Sequence, residues 1–366
     1  MLETFEKITV LIVDDSLVMR KIVATALAKD PEMQVVGFAA NGEEAIQAVK
    51  ALNPQAVTLD IEMPIMDGIT ALKEIRKFAP RLPIIMLSTL TLPGARAAID
   101  ALLHGASDYV GKPASSSGMD EAFSVLSESV IPKIKGLVRR IQIVKVATQT
   151  PKRLPINEQP RGPTLPMEPP HVSAVCIGVS TGGPAALMHL FGQLDGPVNF
   201  PIFIVQHMPP MFTGVLAHRL NDIGKLPVAE AEDGQAVRAG HVYLAPGGRH
   251  MTTRKQTDGG VVIQLADTPP ENSCRPSVDV LFRSVARVYG AASLSMVLTG
   301  MGQDGLKGVR DIRAAGGLAY AQDEESSVVW GMPGAVVREG LADKVLPLSQ
   351  MAREIMRHAT AVGQTD

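Results

Sequence analysis

Val175–Cys176–Ile177–Gly178–Val179–Ser180–Thr181–Gly182–Gly183–Pro184 is a short apolar, β-branched run that stops at a serine in a glycine-rich turn. Such a run reads as a buried strand, the glycines permit a tight backbone, and Pro184 suits the first turn of a helix over 185–193. A strand-to-helix turn aims unpaired N–H groups, and the positive end of the helix dipole, at whatever sits on Ser180. Two chemistries fit the turn taken alone. It could cradle a phosphate, or it could hold a nucleophilic serine beside N–H donors that stabilise an oxyanion.

Working outward, 200–206 reads as a strand that ends on His207, and Met208–Pro209–Pro210 prevents its continuation. A third strand over 294–298 leads to Thr299–Gly300–Met301–Gly302–Gln303–Asp304–Gly305, with Asp304 at the start of the next helix. Helices over 211–223 and 278–289, a strand over 241–244 and a hairpin-like strand over 261–265 complete the pattern. In 278–289, Val278, Leu281, Phe282, Val285 and Tyr289 keep helical spacing and read as core. Alternating strands and helices imply a parallel, doubly wound α/β sheet with its functional groups at the carboxyl ends of the strands.

Ser180, His207 and Asp304 therefore fall on three strand ends of one sheet. In such a set imidazole takes the hydroxyl proton and the carboxylate orients and stabilises the imidazolium. Simpler readings are that Asp304 is a helix N-cap and His207 a satisfied loop histidine. The chain order Ser, His, Asp and the lack of a G-x-S-x-G surround disfavour an ordinary lipase or esterase.

At 366 residues the chain is too long for one ordinary core, so two domains are expected. A net charge of −2, with 20% charged residues, gives no reason to expect nucleic acid or an anionic membrane surface as a partner. Residues 1–7 carry acids and no long apolar stretch, so neither a signal peptide nor direct membrane insertion is expected, and the cytoplasm is the default location. Cys176 and Cys274 are too few for a disulfide framework or a cysteine metal site, and Cys176 reads as a buried thiol.

The first half alternates in the same way. Strands over 8–13, 34–38, 56–59, 83–87 and 108–110 are separated by helical segments, and their ends carry Asp14, Asp15, Asp60, Ser88 and Lys112. Three carboxylates on one sheet edge repel unless a hard divalent cation such as Mg2+ neutralises them. A closing helix over 119–130 is followed by 131–146, where Lys133, Lys135, Arg139, Arg140 and Lys145 read as a solvated helix face in preference to a partner site. Seven prolines between 150 and 170 mark an extended, semi-rigid linker. The expected division is thus 6–130, a linker over 131–170, and 171–362.

Leu11–Ile12–Val13–Asp14–Asp15–Ser16, Leu59–Asp60–Ile61–Glu62–Met63–Pro64–Ile65–Met66–Asp67–Gly68, Ser88–Thr89 and Lys112–Pro113 resemble the receiver domain of bacterial response regulators, a flavodoxin-like fold. The resemblance implies that Asp60 accepts a phosphoryl group from a histidine kinase, with Mg2+ held by Asp14, Asp15, Asp60 and the Glu62 carbonyl. It implies further that Ser88 and Lys112 bind the phosphoryl oxygens and that Tyr109 reports the switch by turning inward.

The second half, through Ile177–Pro184, Gln206–His207–Met208, Tyr243–Leu244–Ala245–Pro246–Gly247, Arg275–Pro276–Ser277–Val278–Asp279, Thr299–Gly300–Met301–Gly302 and Gly331–Met332–Pro333, resembles the catalytic domain of the chemotaxis protein-glutamate methylesterases. That family has a Rossmann-like hydrolase domain behind a receiver, in this order. The resemblance implies a catalytic Ser180, His207 and Asp304, hydrolysis of glutamyl γ-methyl esters on methyl-accepting chemoreceptors, and in many members deamidation of receptor glutamines. The backbone N–H groups of Thr181 and Met301 are the expected oxyanion donors, since both follow strand ends. No cofactor is expected in the hydrolase site. The alternative from another class is a phosphorylation-dependent binding module whose hydrolase domain is inactive.

Overall fold

The computed structural model describes residues 7–113, 119–147 and 171–360. The chain divides into two compact units, Met1–Ile141 and Gln142–Asp366. The proline-rich stretch expected as a linker over 150–170 lies outside the described residues.

In the first unit β1 (Ile8–Val13), β2 (Met33–Ala39), β3 (Ala56–Asp60), β4 (Ile84–Ser88) and β5 (Asp108–Gly111) form a parallel sheet in the order β2-β1-β3-β4-β5. Crossover helices α1 (Leu17–Ala28), α2 (Gly42–Leu52), α3 (Gly68–Phe78) and α4 (Leu92–Leu103) connect them. Their starts are written locally. Ser16 and Asp67 cap α1 and α3 by accepting from Met19 N and Thr70 N. At α2, Asn41 accepts from Glu44 N while Glu44 reaches back to Ala40 N, so two orphan donors are satisfied reciprocally. The sheet order reverses between β1 and β3, the switch point where α/β sheets leave a crevice at their carboxyl edge.

Helix α5 (Met119–Ala147) runs through the boundary expected at residue 130, with Pro132 inside it. Beyond that boundary Ile131, Ile134, Leu137 and Val138 are buried at helical spacing, so this part of the expected linker packs as core. Three of the five basic residues read as a solvated face, Lys133, Lys135 and Arg139, are engaged. Lys133 Nζ lies 3.0 Å from buried Asp108 and donates to the Tyr109 carbonyl, Lys135 pairs with Asp30 and Glu32, and Arg139 pairs with Glu32. Their partners are carboxylates far away in sequence, which charge spacing along one helix cannot reveal.

In the second unit a seven-stranded parallel sheet has the order β14-β13-β12-β6-β7-β9-β8. Its strands are β6 (Ala174–Val179), β7 (Ile202–Gln206), β8 (Val228–Glu230), β9 (Val242–Leu244), β12 (Ser293–Val297), β13 (Leu318–Gln322) and β14 (Lys344–Leu346). An antiparallel hairpin, β10 (His250–Lys255) with β11 (Val261–Ala266), stands outside it. Helices α6 (Gly183–Gln193), α7 (Phe212–Ile223), α8 (Val278–Tyr289), α9 (Leu306–Ala314), α10 (Met332–Arg338) and α11 (Leu348–Thr360) accompany the strands. The six residues of β6 are all buried, as a strand covered on both faces requires. Strand β6 sits between β12 and β7, and the chain moves outward from it in both directions, so the switch point falls at the end of β6.

Candidate functional site

Three adjacent strands of the second unit deliver the expected hydrolase residues. Ser180 follows β6, His207 follows β7, and Thr299–Asp304 follows β12. The ends are tied to one another by Ser180 N donating to the Thr299 carbonyl, and by the buried Gln206 amide donating to the Ser180 and His207 carbonyls. Gly300 lets the β12 loop come this close, because a Cβ there would stand 2.9 Å from that of Ser180. Gly182 opens α6 with φ +76°, and any side chain on it would strike Val328.

His207 and Asp304 meet directly, with Nε2 2.8 Å from Oδ2. Asp304 is buried but accepts on both oxygens: from His207 and Val278 N on Oδ2, and from Asn272 Nδ2, Ser277 Oγ, Asp279 N and Gly305 N on Oδ1. Burial alone would raise its pKa, yet His207, the Val278 N–H and the Ser277 hydroxyl outweigh it and hold the carboxyl at about 2. An ionised Asp304 requires the proton on Nε2, so Nδ1 is the ring nitrogen whose proton comes and goes. Burial disfavours the imidazolium, but Asp304 and then Cys274 overcome it and lift His207 from 6.5 to about 9.

Asp304 is no N-cap of its own helix, since Gly305 holds that place. Its carboxylate instead sits on the first N–H groups of α8, where the helix dipole favours negative charge. The structure thus joins His207 to Asp304, while Nδ1 faces Cys274 Sγ at 3.6 Å and no hydrogen bond joins it to Ser180 Oγ. Among the described residues the N–H groups of Thr181 and Met301 donate to no other group, and Thr181 is buried at the head of α6. Gln206, Asn272, Cys274 and Ser277 carry no role in the sequence reading. Runs of the sequence contain Gln206 and Ser277 but give no sign that they reach Ser180 and Asp304.

In the first unit, ligand atoms of Asp14, Asp15 and Asp60 lie within 4.8 Å of one another, a donor set that fits a hard divalent cation. Lys112 Nζ is 2.9 Å from Asp14 Oδ2 and 2.7 Å from Asp60 Oδ2. Burial pushes Asp60 up, against Lys112 and with help from Asp14, to about 6. Glu62 lies two residues beyond Asp60 with its side chain exposed. Ser88 is buried and its hydroxyl donates to the Gly94 carbonyl, while Tyr109 is buried with Lys133 5.4 Å above its ring.

Residues 175–355 match the CheB methylesterase family and residues 10–124 match the response regulator receiver domain. The chain is 44% identical over 351 residues to a protein-glutamate methylesterase/protein-glutamine glutaminase of Trichodesmium erythraeum, covering 96% of this chain and 99% of that protein. The chain belongs to the CheB methylesterase family. A Nocardioides relative of the same name is 48% identical over 350 residues, covering 96% of this chain and 95% of that protein. The crystal structure of the Thermotoga maritima CheB methylesterase catalytic domain is 42% identical, covers 50% of this chain and 97% of that one, and gives a TM-score of 0.49. Membership brings a receiver and a hydrolase together in one chain, as the two parallel sheets already do.

Proposed function

We propose that this protein is a phosphorylation-regulated protein-glutamate methylesterase that also deamidates receptor glutamines and works in the cytoplasm. The observation that carries the reading is the 2.8 Å His207–Asp304 pair at the strand ends flanking Ser180, in a chain with such relatives along nearly its whole length. Among the described residues no helix is long and apolar enough to cross a membrane, in keeping with a substrate met from the aqueous side.

Ser180 Oγ attacks the ester carbonyl of a chemoreceptor glutamyl γ-methyl ester as His207 Nδ1 takes its proton. The Oγ–C bond forms, the bond between the acyl carbon and the methoxy oxygen breaks, and His207 returns the proton to that leaving oxygen to give methanol. Water, deprotonated by the same nitrogen, then releases Ser180 and leaves a glutamate carboxylate. Thr181 N–H and Met301 N–H are free to receive the oxyanion at both stages. Asp304 holds Nε2–H and stabilises the imidazolium. Its oxygens are already filled by N–H and O–H donors, which suits a strut better than a metal ligand.

In the receiver, Asp60 accepts the phosphoryl group of a histidine kinase. Asp14, Asp15 and Asp60, with the Glu62 carbonyl, would hold Mg2+, which supplies charge neutralisation for the incoming phosphoryl oxygens. Lys112 stands ready to bind those oxygens. Ser88 joins it by releasing the Gly94 carbonyl, and Tyr109 reports the change. Methanol release from a methylated receptor tests the reading: wild-type chain should give it and Ser180→Ala should not. Release by the alanine variant would overturn it.

A further inference from the structure

The reaction needs His207 and Asp304 to keep one mutual orientation, and a four-residue turn outside any strand of the sheet reaches both. Glu271 and Cys274 exchange backbone hydrogen bonds, Glu271 N to the Cys274 carbonyl at 3.1 Å and Cys274 N to the Glu271 carbonyl at 3.0 Å. Between them Asn272 and Ser273 have φ of 53° and 60°, the pair of positive values that a type I′ turn requires. Asparagine tolerates that conformation better than most residues.

From this turn the Asn272 amide nitrogen donates to Asp304 Oδ1 at 2.7 Å and to Asp279 Oδ2 at 2.8 Å. At its far end Cys274 Sγ meets His207 Nδ1. Asp279 and Asp304 are both buried, so their like charges are poorly screened. Burial, and then Asp304, push the Asp279 carboxyl up despite the Gly308 N–H it accepts. Asn272 places one N–H on each carboxylate, which quiets the repulsion and fixes how the Asp304 plane is turned toward His207.

We infer that Asn272 is a positioning residue of the hydrolase, acting through Asp304, and that the Glu271–Cys274 turn exists to deliver its amide. The inference rests on the methylesterase reading and adds a residue to it. Ser277 Oγ and three N–H groups also reach Asp304, but only Asn272 also donates to Asp279. Its loss lets Asp304 tilt and makes its oxygens more basic, so that His207 holds its proton more tightly. The other charged or titratable groups around the pair are Asp279, Glu271 with its partners Arg283 and Lys307, Cys274 on the ring nitrogen, and buried His250, whose Nδ1 accepts from Ser277 N.

The test uses the full chain and a receptor cytoplasmic fragment carrying glutamyl γ-methyl esters, with methanol as the readout. Asn272→Gly keeps a residue at ease at φ 53° and removes only the amide. It should lower kcat roughly ten- to a hundredfold with KM within about twofold, because a hydrogen bond to a charged group is lost. The rising limb of its pH–rate profile should move to higher pH. Asn272→Ser, with a single donor, should fall between glycine and wild type, and it carries the test if the glycine variant fails to fold. Wild-type kcat and an unmoved profile in Asn272→Gly, or in Asn272→Ser if that alone folds, would overturn the inference. A normal Asn272→Gly beside an impaired Asn272→Ala would overturn it as well, by showing that only the backbone matters. Activity in Ser180→Ala, or none in wild type, would instead break the underlying methylesterase reading.

Discussion

Asp60 and Asp304 are the same residue type, each 3% exposed, each at the carboxyl edge of a parallel sheet beside its switch point, and their surroundings drive them apart. Burial raises Asp60 to about 6, since Lys112 and the Ile61 N–H must contend with the neighbouring Asp14. Burial acts on Asp304 in the same sense, but His207, the Val278 N–H at the head of α8 and the Ser277 hydroxyl hold it at about 2. A carboxylate left short of donors is ready for a cation and a phosphoryl group. One surrounded by donors cannot react and serves as a strut. Depth of burial alone therefore says little about role, and the donor set decides it.

The largest effect that sharpens this contrast is on the hydrolase side. Ser180→Ala and His207→Ala should each lower kcat for methanol release on the order of 10⁶-fold, and Asp304→Asn by about 10⁴-fold, since the last removes charge and orientation only. An Asp304→Asn variant as dead as Ser180→Ala would make Asp304 more than a strut. Next comes coupling. If regulation by the receiver is inhibition relieved by phosphorylation, a fragment starting at His171 should outpace the unphosphorylated whole chain by about five- to 150-fold, because tethering gives the inhibiting receiver a high effective concentration. Equal rates would leave the receiver some other task.

A smaller effect concerns stability. The raised Asp60 pKa means the folded receiver disfavours the ionised carboxylate, a cost present above about 6 and absent below the ordinary 3.8. Asp60→Asn should therefore stabilise the receiver transition in calorimetry by about 1–2 kcal/mol at neutral pH, with the gain vanishing at low pH. Asp304, held low, has the opposite sign: its contribution is present above 3.8 and lost as pH falls toward 2, so Asp304→Asn should destabilise. The mildest prediction is the pH profile. His207 must be neutral at Nδ1 to act as base and its proton is held up to about 9, so kcat should still be rising at pH values above the ordinary imidazole 6.5. A plateau reached below 6.5 would contradict the raised pKa.

Much of this was legible in the sequence because strand ends are local signals. Apolar runs that stop at Asp14, Asp60, Ser180 and His207 place those residues on the sheet edges without any tertiary information. Asp304 was legible as a site residue but not in its setting, since the helix it caps begins 26 residues before it in the chain. The Asn272 amide lies 32 residues from Asp304, and Cys274 lies 67 from His207, in a turn with no periodicity to announce it. Strands β8 and β14 have three residues each, too short for an alternating pattern, and β10 is a polar strand whose partner β11 alone carries an apolar signal. That α5 packs as core beyond residue 130 was hidden by basic side chains whose acidic partners, Asp108 and Asp30, lie elsewhere in the chain.

Methanol release from a methylated receptor, measured with and without acetyl phosphate and Mg2+ for wild type and Asp60→Asn, addresses both carboxylates at once. Asp60, its carboxyl raised by burial, should make wild type respond to the donor by about five- to 150-fold, only with Mg2+ present, while Asp60→Asn keeps its basal rate and does not respond. A donor response that survives in Asp60→Asn, or a wild type indifferent to the donor, would contradict the assignment of Asp60 as the carboxylate that reacts.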